Sequence, residues 1–97
     1  MEVGKLDDEQ KLMRAIELEL EAIRVYLEMA KNTEDPELIK LFHSVAYEEK
    51  VHVGEFMAML LKRDRKFREG MVEGARELKE EPPEETIGEE EEEVLME

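Results

Sequence analysis

Three side chains with metal-binding chemistry stand on helix faces that are otherwise apolar. Successive residues of an ideal helix turn by about 100°, which places Glu19 in line with Ile16 and Ile23. Glu49 and His52 interrupt a second apolar line in the same way. A buried carboxylate costs on the order of several kcal/mol unless it is paired with a cation or bound to a metal. The two lines therefore predict a metal site.

The two apolar lines belong to two consecutive predicted helices. The first line comprises Leu12, Ile16, Ile23, Tyr26 and Ala30. The second comprises Leu38, Phe42, Val45, Phe56 and Leu60. No Lys or Arg stands on either line before Arg63, so a counter-charge must come from elsewhere. Tyr26 is placed to hydrogen-bond a ligand, although an ordinary core tyrosine fits equally well. His43 falls on the polar side of the second helix, which predicts a solvated side chain.

Glu49-Lys50-Val51-His52 forms an E-x-x-H motif, which is weak evidence by itself. On a helix the side chains of residues i and i+3 lie on one face, close enough to hold the same ion or ion pair. Glu19 on the adjacent helix supplies a third ligand. A set of two carboxylates and one imidazole suits Fe(II), Mn(II) or, less well, Zn(II).

The chain carries half of a two-metal ligand set. Di-iron carboxylate bundles use a Glu from each of two helices and a Glu-x-x-His motif from each of two others. This sequence supplies one of each, as Glu19 and Glu49-x-x-His52. A two-fold axis repeats every contact and would supply the rest. The predicted site therefore lies between two copies of the chain.

Helix signals in the sequence predict an all-α fold. Leu6 and Asp7 or Asp8 mark the start of the first helix, and Asp35-Pro36 marks the start of the second. The helices are predicted over about 7–31, 36–62 and 66–80. The short loop between the first two makes them antiparallel neighbours. The predicted architecture is a long antiparallel two-helix hairpin with a short third helix, dimerising into a four-helix arrangement.

Composition limits the classes of protein that fit. The 97 residues contain no cysteine, which excludes a disulfide scaffold and thiolate metal sites. The formal net charge is −14, and residues 81–97, with nine Glu and no Lys or Arg, predict a disordered acidic tail after a domain at 1–80. The excess of acidic over basic residues argues against nucleic-acid binding. No signal segment or membrane span is recognisable, so a cytoplasmic location is expected.

The chain resembles a known group, the encapsulated ferritins, which are short ferritin-like proteins housed in encapsulin nanocompartments. The resemblance rests on Glu19-x6-Tyr26, on the 30-residue step from Glu19 to Glu49, and on the segment from Ala46 to Phe56. It covers roughly residues 7–80. The combination is fairly specific, whereas each motif alone is not.

The resemblance implies a ferroxidase that oxidises Fe(II) at a di-iron centre across a dimer interface. Glu19, Glu49 and His52 would be the metal ligands from each chain, with Glu49 bridging the ions and Tyr26 hydrogen-bonded to the ligands. Dimers would assemble into a ring-like decamer, and the encapsulin shell would store the iron. Family members typically carry acids beside the first ligand. Here Leu18 precedes it, and Glu21 alone remains as a candidate for guiding iron inward.

Other interpretations stay open at the level of sequence. Glu19 could be a core acid paired with an arginine of a neighbouring chain, in a non-catalytic helical interaction module. The fold could also bind manganese or zinc without ferroxidase activity, since availability often decides which divalent metal occupies a site. Within the tail, Thr86-Ile87-Gly88 could belong to a tag that docks in a shell or to a linker to a fused shell domain.

Overall fold

In the computed structural model of the protein, the described residues are 2–80, and they contain three α-helices and no β-strand. The helices are α1 (Asp8–Lys31), α2 (Pro36–Arg63) and α3 (Arg65–Glu80), preceded by a 3-10 turn at Val3–Lys5. The predicted all-α class is therefore confirmed. The predicted acidic tail, residues 81–97, lies outside the described residues. None of the helices within 2–80 is long and apolar enough to cross a membrane.

Both long helices begin at the acids that the sequence singled out. Asp7 Oδ1 accepts a hydrogen bond from the Gln10 backbone N–H at 2.7 Å. Gln10 Oε1 accepts one from the Asp7 N–H at 2.9 Å, which completes a capping box. Asp35 Oδ1 accepts from the Glu37 N–H at 2.9 Å, with Pro36 as the first residue of α2. These side chains satisfy backbone donors that have no partner inside the helix.

Residues 1–63 form one compact unit in which α1 and α2 pack against each other. Its buried apolar residues are Ile16, Ala30, Ala46 and Leu60. Leu38, predicted on the buried line of α2, is exposed, whereas Ala46 is only 1% exposed. Ala46 lies about 80° from Leu38 around the helix. The buried face of α2 is therefore rotated from the predicted line toward Ala46.

The described residues after Arg63 belong to a second unit, which contains α3. Asp64 caps the helix, because its Oδ1 accepts a hydrogen bond from the Phe67 N–H at 2.9 Å. The helix consequently starts one residue earlier than the sequence analysis predicts. Met71 and Leu78 on its apolar side are exposed.

Candidate metal centre

Two helices of the first unit position the three predicted ligands. Glu19 stands on α1, three residues after the buried Ile16, and Glu49 stands on α2, three residues after the buried Ala46. Because residues three apart share a helix face, both carboxylates are directed toward the contact between α1 and α2. Their side chains are 20% and 18% exposed.

An ion pair that the sequence pattern does not predict fixes which residues of α1 and α2 lie side by side. Arg63 Nε lies 3.2 Å from Glu9 Oε1, and Arg63 Nη2 lies 3.4 Å from Asp8 Oδ2. Glu19 is ten residues from Glu9, and His52 is eleven residues from Arg63. At 1.5 Å per residue these steps are about 15 and about 16 Å. The two residues therefore meet at the same level. Acids at the start of one helix and an arginine at the end of the next were the signal that could have revealed the pair.

The three ligand atoms form a compact cluster. One atom from each of Glu19, Glu49 and His52 lies within 4.8 Å of the other two. His52 Nδ1 is 3.6 Å from Glu19 Oε2 and 3.4 Å from Glu49 Oε2. Among residues 2–80, no Lys or Arg forms an ion pair with either carboxylate. The structure thus brings the sequence-predicted ligands together without supplying a basic counter-charge.

Glu19 Oε2 shows that this donor set is fitted to a cation. The atom is buried and accepts no hydrogen bond, and its separation from His52 Nδ1 exceeds ordinary hydrogen-bond distances. An unsatisfied buried acceptor costs about 1–3 kcal/mol, and more when it is charged. A divalent ion held by the two carboxylates and the imidazole would satisfy it with ligands that iron and manganese prefer.

His52 differs from its predicted surroundings. The sequence places it on a buried line, yet its side chain is 45% exposed. The rotation of α2 toward Ala46 is the reason, because it carries His52 to the edge of the contact with α1. We call the surface on this edge the His52 surface. Besides His52 it contains exposed apolar residues of both helices: Leu18, Val25, Met29, Leu41 and Met59. One side of the ligand cluster is therefore open.

Tyr26 and Glu21 are not part of the cluster. The Tyr26 ring stacks on Phe42, with centroids 6.5 Å apart and planes 18° from parallel. In the described part of the chain its hydroxyl makes no hydrogen bond to Glu19 or Glu49. Glu21 is exposed, and two helical steps turn it away from Glu19 to the far side of α1. His43 is exposed, as predicted.

Removing the Glu19 carboxylate should make the metal-free protein more stable. In Glu19→Leu a buried unsatisfied acid is replaced by an apolar side chain of similar size, next to Ile16 and Ile23. We expect the free energy of unfolding to rise by about 1–3 kcal/mol, and the melting temperature by about 4–8 °C for each kcal/mol. Thermal unfolding in EDTA at pH 8 and one fixed chain concentration measures this.

The matched control for that experiment is Glu17→Leu. Glu17 lies two residues earlier on α1 and is exposed, so its replacement should change the free energy of unfolding by less than about 0.5 kcal/mol. An unchanged or lowered melting temperature in Glu19→Leu would show that the carboxylate is already satisfied in the metal-free chain.

Comparison of the sequence with known proteins identifies its family. A family model described as rubrerythrin matches residues 10–97. A "Ferritin-like-encapsulin shell fusion protein" of Pyrococcus furiosus is 53% identical over 53 residues. The matched segment covers 55% of this chain and 15% of that relative, so the chain corresponds to a small part of it. No solved structure matches. Both matches support the resemblance that the sequence motifs indicate.

Proposed function

Because this chain belongs to the rubrerythrin family, within the ferritin-like superfamily, we propose that it is a ferroxidase. In this proposal two Fe(II) ions are bound between two copies of the chain and oxidised to Fe(III) by O2. The observation that carries the proposal is the buried, unsatisfied Glu19 Oε2 beside Glu49 and His52. Purified full-length protein tests it, because it should consume about one O2 for every two Fe(II) ions.

The proposed reaction is balanced by the substrates alone. Each of two Fe(II) ions gives up one electron, and O2 takes both electrons and two protons to become hydrogen peroxide. The contribution of the chain is to hold the ions and to keep them a few ångströms apart. Glu19, Glu49 and His52 would each bind a substrate ion, and Glu49 would bridge the two.

A second copy would complete the site across a two-fold axis. The open side of the ligand cluster lies on the His52 surface, to which both helices contribute exposed apolar residues. A two-fold contact through that surface would add a second Glu19, Glu49 and His52 and cover the exposed apolar side chains. In this proposal two hairpins formed by α1 and α2 assemble a ferritin-like four-helix arrangement.

The relative from Pyrococcus furiosus suggests where the reaction takes place. Its name joins a ferritin-like part to an encapsulin shell. We extend this to the present chain as a proposal: its dimers form a ring-like decamer inside an encapsulin nanocompartment in the cytoplasm, where the shell stores the oxidised iron. The tail at 81–97 would be either a docking tag or a linker to the shell. Co-expression with an encapsulin shell protein and co-sedimentation of the two would test it; separate sedimentation would contradict it.

Tyr26 and Glu21 have supporting roles in the proposed reaction. The Tyr26 hydroxyl would hydrogen-bond a ligand in the assembled site, and Glu21 would attract iron. We expect Tyr26→Phe, which keeps the ring on Phe42, to lower the maximal oxidation rate about 10-fold, as loss of a partner of a metal ligand does. Glu21→Gln should raise the Fe(II) concentration at half-maximal rate and leave the maximum unchanged. Steady-state kinetics measures the maximal rate and the Fe(II) concentration at half-maximal rate. Values equal to those of the wild type would show that Tyr26 and Glu21 do not have these roles.

A further inference from the structure

Two exposed methionines stand on the His52 surface, one toward each end of the ligand cluster. Met29 on α1 is 45% exposed, and Met59 on α2 is 47% exposed. Met29 lies ten residues beyond Glu19, and Met59 lies seven residues beyond His52, which correspond to about 15 and about 10 Å of helix. Because the end of α2 contacts the start of α1 at Arg63, these two steps lead in opposite directions. The cluster therefore lies between two thioethers that are open to solvent.

The sulfur of an exposed methionine is oxidised by hydrogen peroxide to a sulfoxide. One peroxide oxygen forms the new S–O bond, and the O–O bond breaks so that the other oxygen leaves as water with both protons. The sulfur gives up two electrons, and the peroxide takes them. The product is a polar side chain in place of a flexible apolar one. The chain has no cysteine that would compete for the peroxide.

We propose that Met29 and Met59 are oxidation sites through which hydrogen peroxide controls assembly of the metal centre. In a chain without metal both side chains are exposed. In the proposed dimer they are covered with the rest of the His52 surface, where a sulfoxide oxygen would lose its hydration. Burying a polar group without a hydrogen bond is unfavourable, so oxidation weakens association. This inference rests on the proposed function, which supplies both the peroxide and the two-fold contact.

Oxidation at these positions makes the proposed reaction limit itself through its own product. Each pair of Fe(II) ions that is oxidised yields one hydrogen peroxide molecule. Peroxide that accumulates modifies copies that carry no metal, because only those expose Met29 and Met59, and the modified copies then assemble poorly. Assembled copies are protected. Reduction of the sulfoxide restores the thioether, so the control is reversible.

Met13 provides a control within the same helix. Its side chain is 41% exposed, which is close to the exposure of Met29. It stands sixteen residues before Met29 and therefore points about 160° away from it around α1, where it lines a groove with Val3 and Leu6. The chain thus offers two thioethers inside the proposed contact and one of similar exposure outside it.

Protection by metal tests the location of the two sites. Full-length protein treated with hydrogen peroxide in EDTA should form sulfoxide at Met13, Met29 and Met59, as measured by mass spectrometry of its peptides. When saturating Zn(II) replaces EDTA, sulfoxide formation should be lost at Met29 and Met59 and should continue at Met13. Zn(II) is suitable because it has no redox chemistry of its own. Equal oxidation of the three positions with and without Zn(II) would overturn the proposal.

The effect on assembly is measured by light scattering after peroxide has been removed. Oxidised wild-type protein should associate with Zn(II) at least about 10-fold more weakly than untreated protein. Met29→Leu/Met59→Leu replaces both thioethers by apolar side chains of similar volume, so peroxide should not change its association. Met13→Leu keeps both sites and should lose association as the wild type does. Unchanged association of the oxidised wild type would overturn the proposal, as would an equal loss in Met29→Leu/Met59→Leu.

The outcome for the two methionines is distinguishable from that for the ferroxidase, because neither measurement uses Fe(II). A chain whose Zn(II)-driven association is lost on oxidation, but which consumes no O2 with Fe(II), would retain the oxidation sites and remove the ferroxidase. A chain that consumes O2 with Fe(II), but whose association is the same with Met29 and Met59 oxidised, would remove the oxidation sites alone.

Discussion

Glu49→Ala and His52→Ala are each expected to lose Fe(II) oxidation almost completely. Each substitution removes a ligand from both copies at once, because the proposed site repeats across the two-fold axis. The loss should exceed the roughly 10–100-fold that removal of a hydrogen-bond partner of a metal ligand costs. Absorbance near 310 nm after Fe(II) is added in air follows the oxidised product, and O2 uptake gives the same rate independently.

Neighbouring residues of the same types provide the controls. Glu48→Ala removes the acid directly before Glu49, and His43→Ala removes the other histidine; both side chains are exposed on α2. These variants should oxidise Fe(II) at close to the wild-type rate. If Glu49→Ala and His52→Ala were to retain it as well, the cluster would not be the site of the reaction.

Divalent metal is expected to drive association of the chain. In the proposed dimer, Glu19 and Glu49 of both copies bring four carboxylates to one axis, where like charges repel. Bound cations remove this repulsion and add ligand bonds to both chains, so metal binding and association stabilise each other. Light scattering after size exclusion should show a mass near 11.4 kDa for the metal-free chain, and at least twice that with metal.

Zn(II) separates association from oxidation in this experiment, because it binds similar ligands and has no redox chemistry. It should raise the mass of the wild-type protein as Fe(II) does, without consuming O2. The mass of the Glu19→Leu variant should not rise with either metal, although its fold is expected to be more stable. A wild-type mass that stays at one chain with saturating Fe(II) and Zn(II) would refute the shared site.

The exposure of His52 gives these two predictions a common structural basis. A histidine that is 45% exposed at the open edge of a carboxylate pair is available to a metal and to a second chain together. If the site were complete within one chain, all its ligands would be expected to be enclosed. The unsatisfied Glu19 oxygen is consistent with a bound cation, and the exposed apolar residues of the His52 surface are consistent with the proposed second chain.

Much of the fold follows from local rules in the sequence. The capping box at Asp7 and Gln10 and the Asp35-Pro36 start each satisfy backbone groups within a few residues, so helix ends could be predicted to within about one residue. The helical period also places Glu49 and His52 on one side of α2, and Glu19 among isoleucines. These relations depend only on neighbours along the chain, and for that reason the three side chains could be singled out from sequence as candidate ligands.

The rotation of α2 about its axis is a property of the tertiary structure alone. Periodicity groups residues on a face, but how two helices interlock depends on the volumes of side chains that meet across the contact. The buried face of α2 includes Ala46 rather than Leu38, which leaves Leu38 and the His52 side chain exposed. The same packing sets the Tyr26 ring against Phe42. The sequence thus determined the helices and the side-chain types of the candidate site, whereas packing decided that the cluster of Glu19, Glu49 and His52 stays open on one side.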